Sequence, residues 1–414
     1  MENNVRRYEW CYVSGRINVL ECNLLNQKFF EKLLSSDDFK DVLTNLNNTP
    51  LKAHFTHVKH LYEFETLLDE YYYNRLYEIR DLSPDTAVCD FFFLRNDVHN
   101  LKKFIKSKVF GTIVDKFFRG TIITDKLDDA WQDKSTALPE IFRESVSFSK
   151  KVIAQQNHNQ TLPYPTVQKG EFSNSPLEKE GHGEFTVPSQ GEKSAKHNQN
   201  TAHISPPLQG GTKAITPTVS PHLQGGDEGG VKNELMPFII DLIFDGAYLR
   251  YIEDYCKRIE VEIIKRYLKT YQLVKGLEVI RRAISLGLDM NLLNQYFLEG
   301  FDQNHVFRKI LNETTERTEK TLREIFAETY SGMSLPSLFS EVSKNISFRC
   351  EVVTDNYLLD ILRPAKYTPF GPERVFGYLC GLTTEVFNLK LVLGGKVHRI
   401  ENNLLRERLR KTYA

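Results

Sequence analysis

Residues 95–111, "RNDVHNLKKFIKSKVFG", and residues 383–399, "TTEVFNLKLVLGGKVHR", carry one pattern twice, far apart in the chain. Each copy reads acid, two residues, Asn-Leu-Lys, five residues, Lys. Asp97, Asn100, Leu101, Lys102 and Lys108 therefore align with Glu385, Asn388, Leu389, Lys390 and Lys396. On a helix the acid and the Asn, three residues apart, share a face, while the first Lys leaves on another side. Such a set suits capping and hydrogen bonds between helices better than it suits catalysis. The pattern is read as a mark of scaffold.

Between the two copies, "LKTYQLVKGLEVIRRA" keeps the offsets at Thr270, Leu273, Val274, Lys275 and Arg281 but has lost the acid and the Asn. A second fragment precedes each copy: "LLDEYYYNRL" with Asp69 and Tyr72, "IFDGAYLRYI" with Asp245 and Tyr248, and "DNYLLDIL" with Asp355. Self-similarity on this scale implies a helical hairpin or small bundle used three times, stacked or set around a pseudo-axis.

The rest of the chain has the same helical periodicity. "QKFFEKLLSSDDFKDVLTNL" places apolar residues at 29, 30, 33, 34, 39, 42, 43 and 46, and Ser36-Asp37 reads as the break and N-cap between two short helices. "VKHLYEFETLLDEYYYNRLYEI" and "AYLRYIEDYCKRIEVEIIKRYLKTYQLVKGLEVIRRAI" read as long, amphipathic, proline-free helices. "PERVFGYLCGLTTEVFNLKLVL" opens with Pro372 just inside a helix N-terminus, where its missing N–H costs nothing. Gly394-Gly395 reads as the end of that helix. Alternating strand patterns are rare, so the fold is expected to be all-α. From residue 155 to 231 the composition turns to Pro, Gly, Ser, Asn, Gln and His, with the loose repeat "SPLEKEG", "SPPLQGG", "SPHLQGG". Such a segment buries too little apolar surface to offset its ordering entropy and is expected to be a disordered insertion.

Bulk properties narrow the function. The 414 residues hold 54 Lys+Arg and 54 Asp+Glu, so no global positive field collects nucleic acid or an anionic bilayer. Apolar residues make up 41% and charged residues 26%, an ordinary balance for a protein with a packed core. The six cysteines, 11, 22, 89, 256, 350 and 380, show no CxxC pairing and read as reduced, mostly buried thiols. "MENNVRRYEWCYVSGR" lacks the apolar h-region of a signal peptide, and no run approaches a membrane span.

The tempting chemistry is weak. His54, His57 and His60 spread over about 120° of a helix, so at most two could share a metal. "LGGKVH" lacks the glycine and the Ser/Thr of a P-loop. The aromatic runs "EYYYNRLY" and "CDFFFLRND" have no basic stripe beside them and read as core or partner surface rather than base-stacking platforms. No catalytic, cofactor-binding or metal residue is nominated.

Three segments carry a family resemblance. "YEWCYVSGRINVLECNLLNQKFFEKLLSSDDFKDVLTNLNNTP", "LRNDVHNLKKFIKSKVFG" and "FGPERVFGYLCGLTTEVFNLKLVLGGKVHRIENNLLRERLRKTYA" resemble the opening, the Asp-x-x-Asn-Leu-Lys helix and the C-terminus of the C subunit of V/A-type rotary ATPases, the family of vacuolar ATPase subunit d. The third is similar almost position by position, through Pro-Glu, Glu-x-x-Asn-Leu, Gly-Lys and a closing Arg-x-x-Leu-Arg-x-x-Tyr. The resemblance implies three similar helical bundles in a funnel with pseudo-threefold arrangement. It implies a first bundle at 1–154, the insertion at 155–231, a second bundle at 232–340 and a third unit at 341–414. It also implies a non-catalytic central-stalk role on the cytoplasmic side of a membrane. The wide mouth would receive the rotor shaft and the base would sit on the membrane proteolipid ring. The chain departs from the family pattern in its insertion and at Thr270 and Leu273, where the packing of the second unit is expected to differ.

Overall fold

The computed structural model describes residues 8–55, 63–114, 116–122, 126–132, 134, 138–158, 230–286, 288–312 and 347–414. Among these residues every regular element is helical, and the fold is all-α. Residues 1–163 and 233–414 form one compact unit. Residues 159–229, and with them nearly all of the expected insertion, lie outside the described residues.

The helices are α1 (Cys11–Glu21), α2 (Gln27–Ser35), α3 (Phe39–Leu46), α4 (Lys52–Phe55), α5 (Glu63–Leu82), α6 (Ala87–Phe110), α7 (Leu127–Trp131), α8 (Glu140–His158), α9 (Gly230–Arg258) and α10 (Glu262–Ser285). They continue with α11 (Met290–Leu292), which runs into a π-turn at Leu293–Phe297, then α12 (Val306–Asn312), α13 (Ser347–Leu362), α14 (Pro372–Val397) and α15 (Asn402–Arg408).

The local signals act as expected, with three corrections. The α2–α3 break falls where the polar run interrupts the apolar stripe, and Phe30, Leu33, Leu34, Phe39, Val42 and Leu46 are buried. The N-cap, however, is Asp38, one residue beyond Ser36-Asp37. Its carboxylate accepts from the Asp41 amide at 2.9 Å, and that donor is in reach only from the residue immediately before the first helical turn.

The long periodic run from 247 to 284 is broken at 259–261, between α9 and α10. No Gly or Pro marks the break; it falls in "RIEVEI", where β-branched residues weaken helix preference and Ile259 and Val261 pack on the core.

Helix α14 runs through Gly394-Gly395 and ends at Val397. Its last carbonyls are capped by Ile400 N–H on Gly395 O at 2.8 Å and Arg399 N–H on Lys396 O at 3.3 Å, with Arg399 at φ 54 in the left-handed position usually given to glycine. Gly395 serves close approach instead: a Cβ there would lie 2.4 Å from Leu405 Cδ2, so α15 could not seat on α14.

Helix α14 is the centre of the unit. It packs against α1, α5, α6, α10, α13 and α15, and it is buried around most of its circumference. That explains a sequence apolar all round rather than on one stripe. Full burial of side chains such as Phe376, Leu379, Leu389 and Leu393 stabilises by about 1.5–3 kcal/mol each.

The repeated fragments organise the rest. The first is α5–α6, the second α9–α10 and the third α13–α14. The second helix of each faces the first helix of the next: α6 faces α9, α10 packs on α13, and α14 packs on α5. The order closes into a cycle. At its centre the three second helices meet in an aromatic cluster, with Phe91 and Phe92 from α6, Tyr267 and Tyr271 from α10, and Phe376 from α14, at ring-centroid distances of 5.1–6.3 Å. The "DFFF" run is therefore core.

Candidate functional site

The twin motifs do the same work in the two copies that keep them. Asn100 donates to Phe118 O at 2.8 Å and accepts from Phe118 N–H at 2.9 Å. Asn388 donates to Arg410 O at 2.9 Å and accepts from Arg410 N–H at 3.0 Å. In both places a buried amide side chain replaces the missing neighbour of an extended segment that returns along its own helix.

The acids have diverged. Asp97 accepts from Thr121 N–H at 3.2 Å, Thr121 Oγ1 at 2.7 Å and Ile122 N–H at 3.0 Å, and so pins the same returning segment. Glu385 instead accepts from Leu25 N–H at 2.5 Å and Tyr71 OH at 3.2 Å, joining the chain between α1 and α2 to α5. Burial raises both carboxyls; Glu385 is pushed up to about 7, while its two donors pull the other way.

The lysines leave on the other side and make the cycle. Lys102 reaches Asp245 at 2.5 Å, from the first unit to the second. Lys390 reaches Asp69 at 2.6 Å, from the third unit to the first. Lys275, the counterpart in the second unit, bonds Glu278 on its own helix at 2.9 Å, and Asp355 takes Arg410 at 3.0 Å. The upstream acids found by pattern, Asp69 and Asp245, are thus the partners of the motif lysine of the preceding unit in the cycle.

The second unit packs differently, as its lost residues imply. Leu273 is buried where the other units have Asn, and among the described residues no extended segment returns beside it. Phe307 of α12 covers the helix at Gly276, where a Cβ would sit 2.0 Å from the ring. Thr270 turns its hydroxyl onto Arg266 O at 2.9 Å.

One polar cluster was not found from sequence. Arg95 of α6, Lys275 and Glu278 of α10, Glu351 and Asp355 of α13, and Arg410 near the C-terminus converge from all three units. Arg95 and Glu351 remain exposed. Desolvation opposes the charge on Arg95, but Tyr271, Tyr248, Asp355 and Glu278 outweigh it and raise its pKa. Desolvation likewise opposes Lys275, while Glu278, Tyr271 and Asp355 raise it. Partial desolvation by its neighbours, with repulsion from Glu278, raises Glu351 against the pull of Arg410 and Lys275. Arg410 lies over the Phe387 ring at 3.9 Å from its centroid. The charges are balanced and mutually held, an arrangement that can recognise a macromolecular surface. The available sequence signal was only that Lys275 and Asp355 hold repeat positions; Glu351 and Glu278 hold none.

Among the described residues no group of His, Cys, Asp and Glu is arranged to hold a metal ion. His57 and His60, and the side chain of His54, lie outside the described residues. Cys89, Cys256 and Cys380 are buried and free, whereas Cys11 and Cys22 are exposed. No helix among the described residues is long and apolar enough to cross a membrane.

The closing "RERLRKTYA" also gains a role. After Asn388 fixes Arg410, Tyr413 lies across Gly377 and Gly381 of α14, where added Cβ atoms would sit 2.6 Å from its hydroxyl and its Cβ. No curated protein matches the chain. The family model described as ATP synthase (C/AC39) subunit matches it over residues 13–162 and 228–408, on both sides of the composition break.

Proposed function

Since the chain belongs to the ATP synthase (C/AC39) subunit family, an accessory rather than catalytic subunit of V/A-type rotary ATPases, we propose that it is the central-stalk subunit of such a motor. In this reading it couples the rotor shaft of the ATP-hydrolysing head to the membrane proteolipid ring, for ion transport or ATP synthesis. The observation that carries the reading is the match on both flanks of the insertion, out to residue 408.

The fold supports a mechanical role. Torque transmission needs a stiff body with a surface for each neighbour, and no bond-making group. A closed cycle of helix pairs around a shared aromatic core supplies stiffness, because close-packed interiors deform little. The polar cluster of Arg95, Lys275, Glu278, Glu351, Asp355 and Arg410 is the surface proposed to receive the shaft. Mixed charges there would fix its rotational register more than its affinity. The subunit would sit peripherally on the cytoplasmic side, held to the membrane through the ring, and the ring would determine whether protons or sodium ions move.

Isolation of the tagged chain from its own membranes tests this reading. Co-isolation with shaft subunits and proteolipid ring is expected. A stoichiometric complex lacking both would refute it.

A further inference from the structure

The three joints of the cycle are unequal. Helices α14 and α5, and helices α10 and α13, pack backbone against backbone, whereas α6 and α9 are bridged by long side chains. At one end of that joint lies an ionic group: Lys102 on Asp245 at 2.5 Å and Lys106 on Asp241 at 2.7 Å cross it, while Arg282 of α10 holds Asp245 at 3.1 Å from within the second unit. At the other end Tyr255 OH donates to Ala87 O at 2.5 Å, and Phe91 stacks on Tyr255. Near this end a small cleft of about 120 Å³ is lined by Phe91, Leu94, Phe142, Tyr251, Tyr255 and Arg258. The sequence joins the two sides only through residues 159–229, so no short loop ties them.

We infer that the α6–α9 joint is the compliant seam of the cycle, at which the first and second units part and close again while the other two joints stay shut. Apolar packing is short-ranged and indifferent to salt, but partly exposed ion pairs weaken as ions screen them. A joint whose charged bridges are Lys102 and Lys106 on Asp245 and Asp241 therefore has a separation that ionic strength shifts. The cleft leaves few contacts to be lost as the helices part, and Tyr255 acts as the pivot. Opening here would widen the cycle without unfolding a helix, a way for a rigid body to admit a partner or yield under load.

The test measures distances by electron-spin labels on the full chain, with Cys11, Cys22 and Cys350 replaced by serine. One pair, His99→Cys with Phe238→Cys, spans the ionic end of the α6–α9 joint; a control pair, Lys269→Cys with Val353→Cys, spans α10–α13. Between low and molar salt the first distance is expected to lengthen and broaden while the second stays fixed, with the helical circular dichroism unchanged. Asp241→Asn with Asp245→Asn should produce the open distribution at low salt. Equal behaviour of the two pairs, or no change in the first under either treatment, overturns the inference.

Discussion

Asn388 and Arg410 hold one another by two hydrogen bonds, amide to carbonyl at 2.9 Å and backbone N–H to amide oxygen at 3.0 Å, with both residues buried. Asn100 and Phe118 repeat the arrangement in the first unit. Replacement of Asn388 by Leu would keep the volume and orphan a buried N–H and C=O. A loss of about 2–4 kcal/mol is expected, read as a fall in the denaturant midpoint. Asn100→Leu should cost less, because Phe118 is more exposed and water can reach its backbone. Equal stability of Asn388→Leu and the parent would contradict this role.

Glu385 titrates in the physiological range. Burial raises it from 4.5 to about 7, so between those values the folded chain holds a proton that the unfolded chain has released. Its contribution is fully present below 4.5 and is lost as pH climbs through 7. The effect is on the order of 3 kcal/mol. Glu385→Gln should flatten the dependence of stability on pH across this window, measured by denaturation at several pH values. A parallel pair of curves would refute it.

Gly377 and Gly381 should tolerate nothing larger. Gly381→Val would drive a side chain into Tyr413, whose Cβ lies 2.6 Å from the position of an added methyl. Overpacking here should cost about 1–3 kcal/mol and release the C-terminal tail, read as faster proteolysis at Lys411. Gly15 gives the control: nothing lies within 4 Å of an added methyl, so Gly15→Ala should be neutral or slightly stabilising within its helix.

The motif lysines should rank by burial. Lys102 and Asp245 keep 16% and 15% of their side-chain exposure, whereas Lys390 and Asp69 keep 33% and 48%. Lys102→Met strips Asp245 of its nearer cation and should cost more than Lys390→Met, which is expected to stay within about 1 kcal/mol of the parent. Thermal melts of the two variants give the comparison, and the reverse ranking would contradict it.

Much of this was legible in the chain. The acid-Asn-Lys spacing separated two hydrogen-bonding faces from a lysine that points away, and the structure uses them that way. The upstream aspartates were visible as repeats, but not as partners, because pairing between units is a matter of three-dimensional closure and leaves no local signal. Periodicity located α2, α3, α5 and α14. It could not place the 259–261 break, which packing decides against a sequence with no Gly or Pro there. Gly394-Gly395 misled for a related reason: glycine marks a helix end and a close helix contact alike, and only the position of Leu405 distinguishes them. The polar cluster was hidden because Arg95, Glu278 and Glu351 come from three units and share no motif.

The central claim is mechanical coupling. Its most direct measurement is ion transport and ATP hydrolysis by membrane vesicles stripped of this subunit and then supplied with it again. The account predicts that stripped preparations hydrolyse ATP without transporting ions, and that the added chain restores transport. Transport that continues undiminished without the subunit would contradict it.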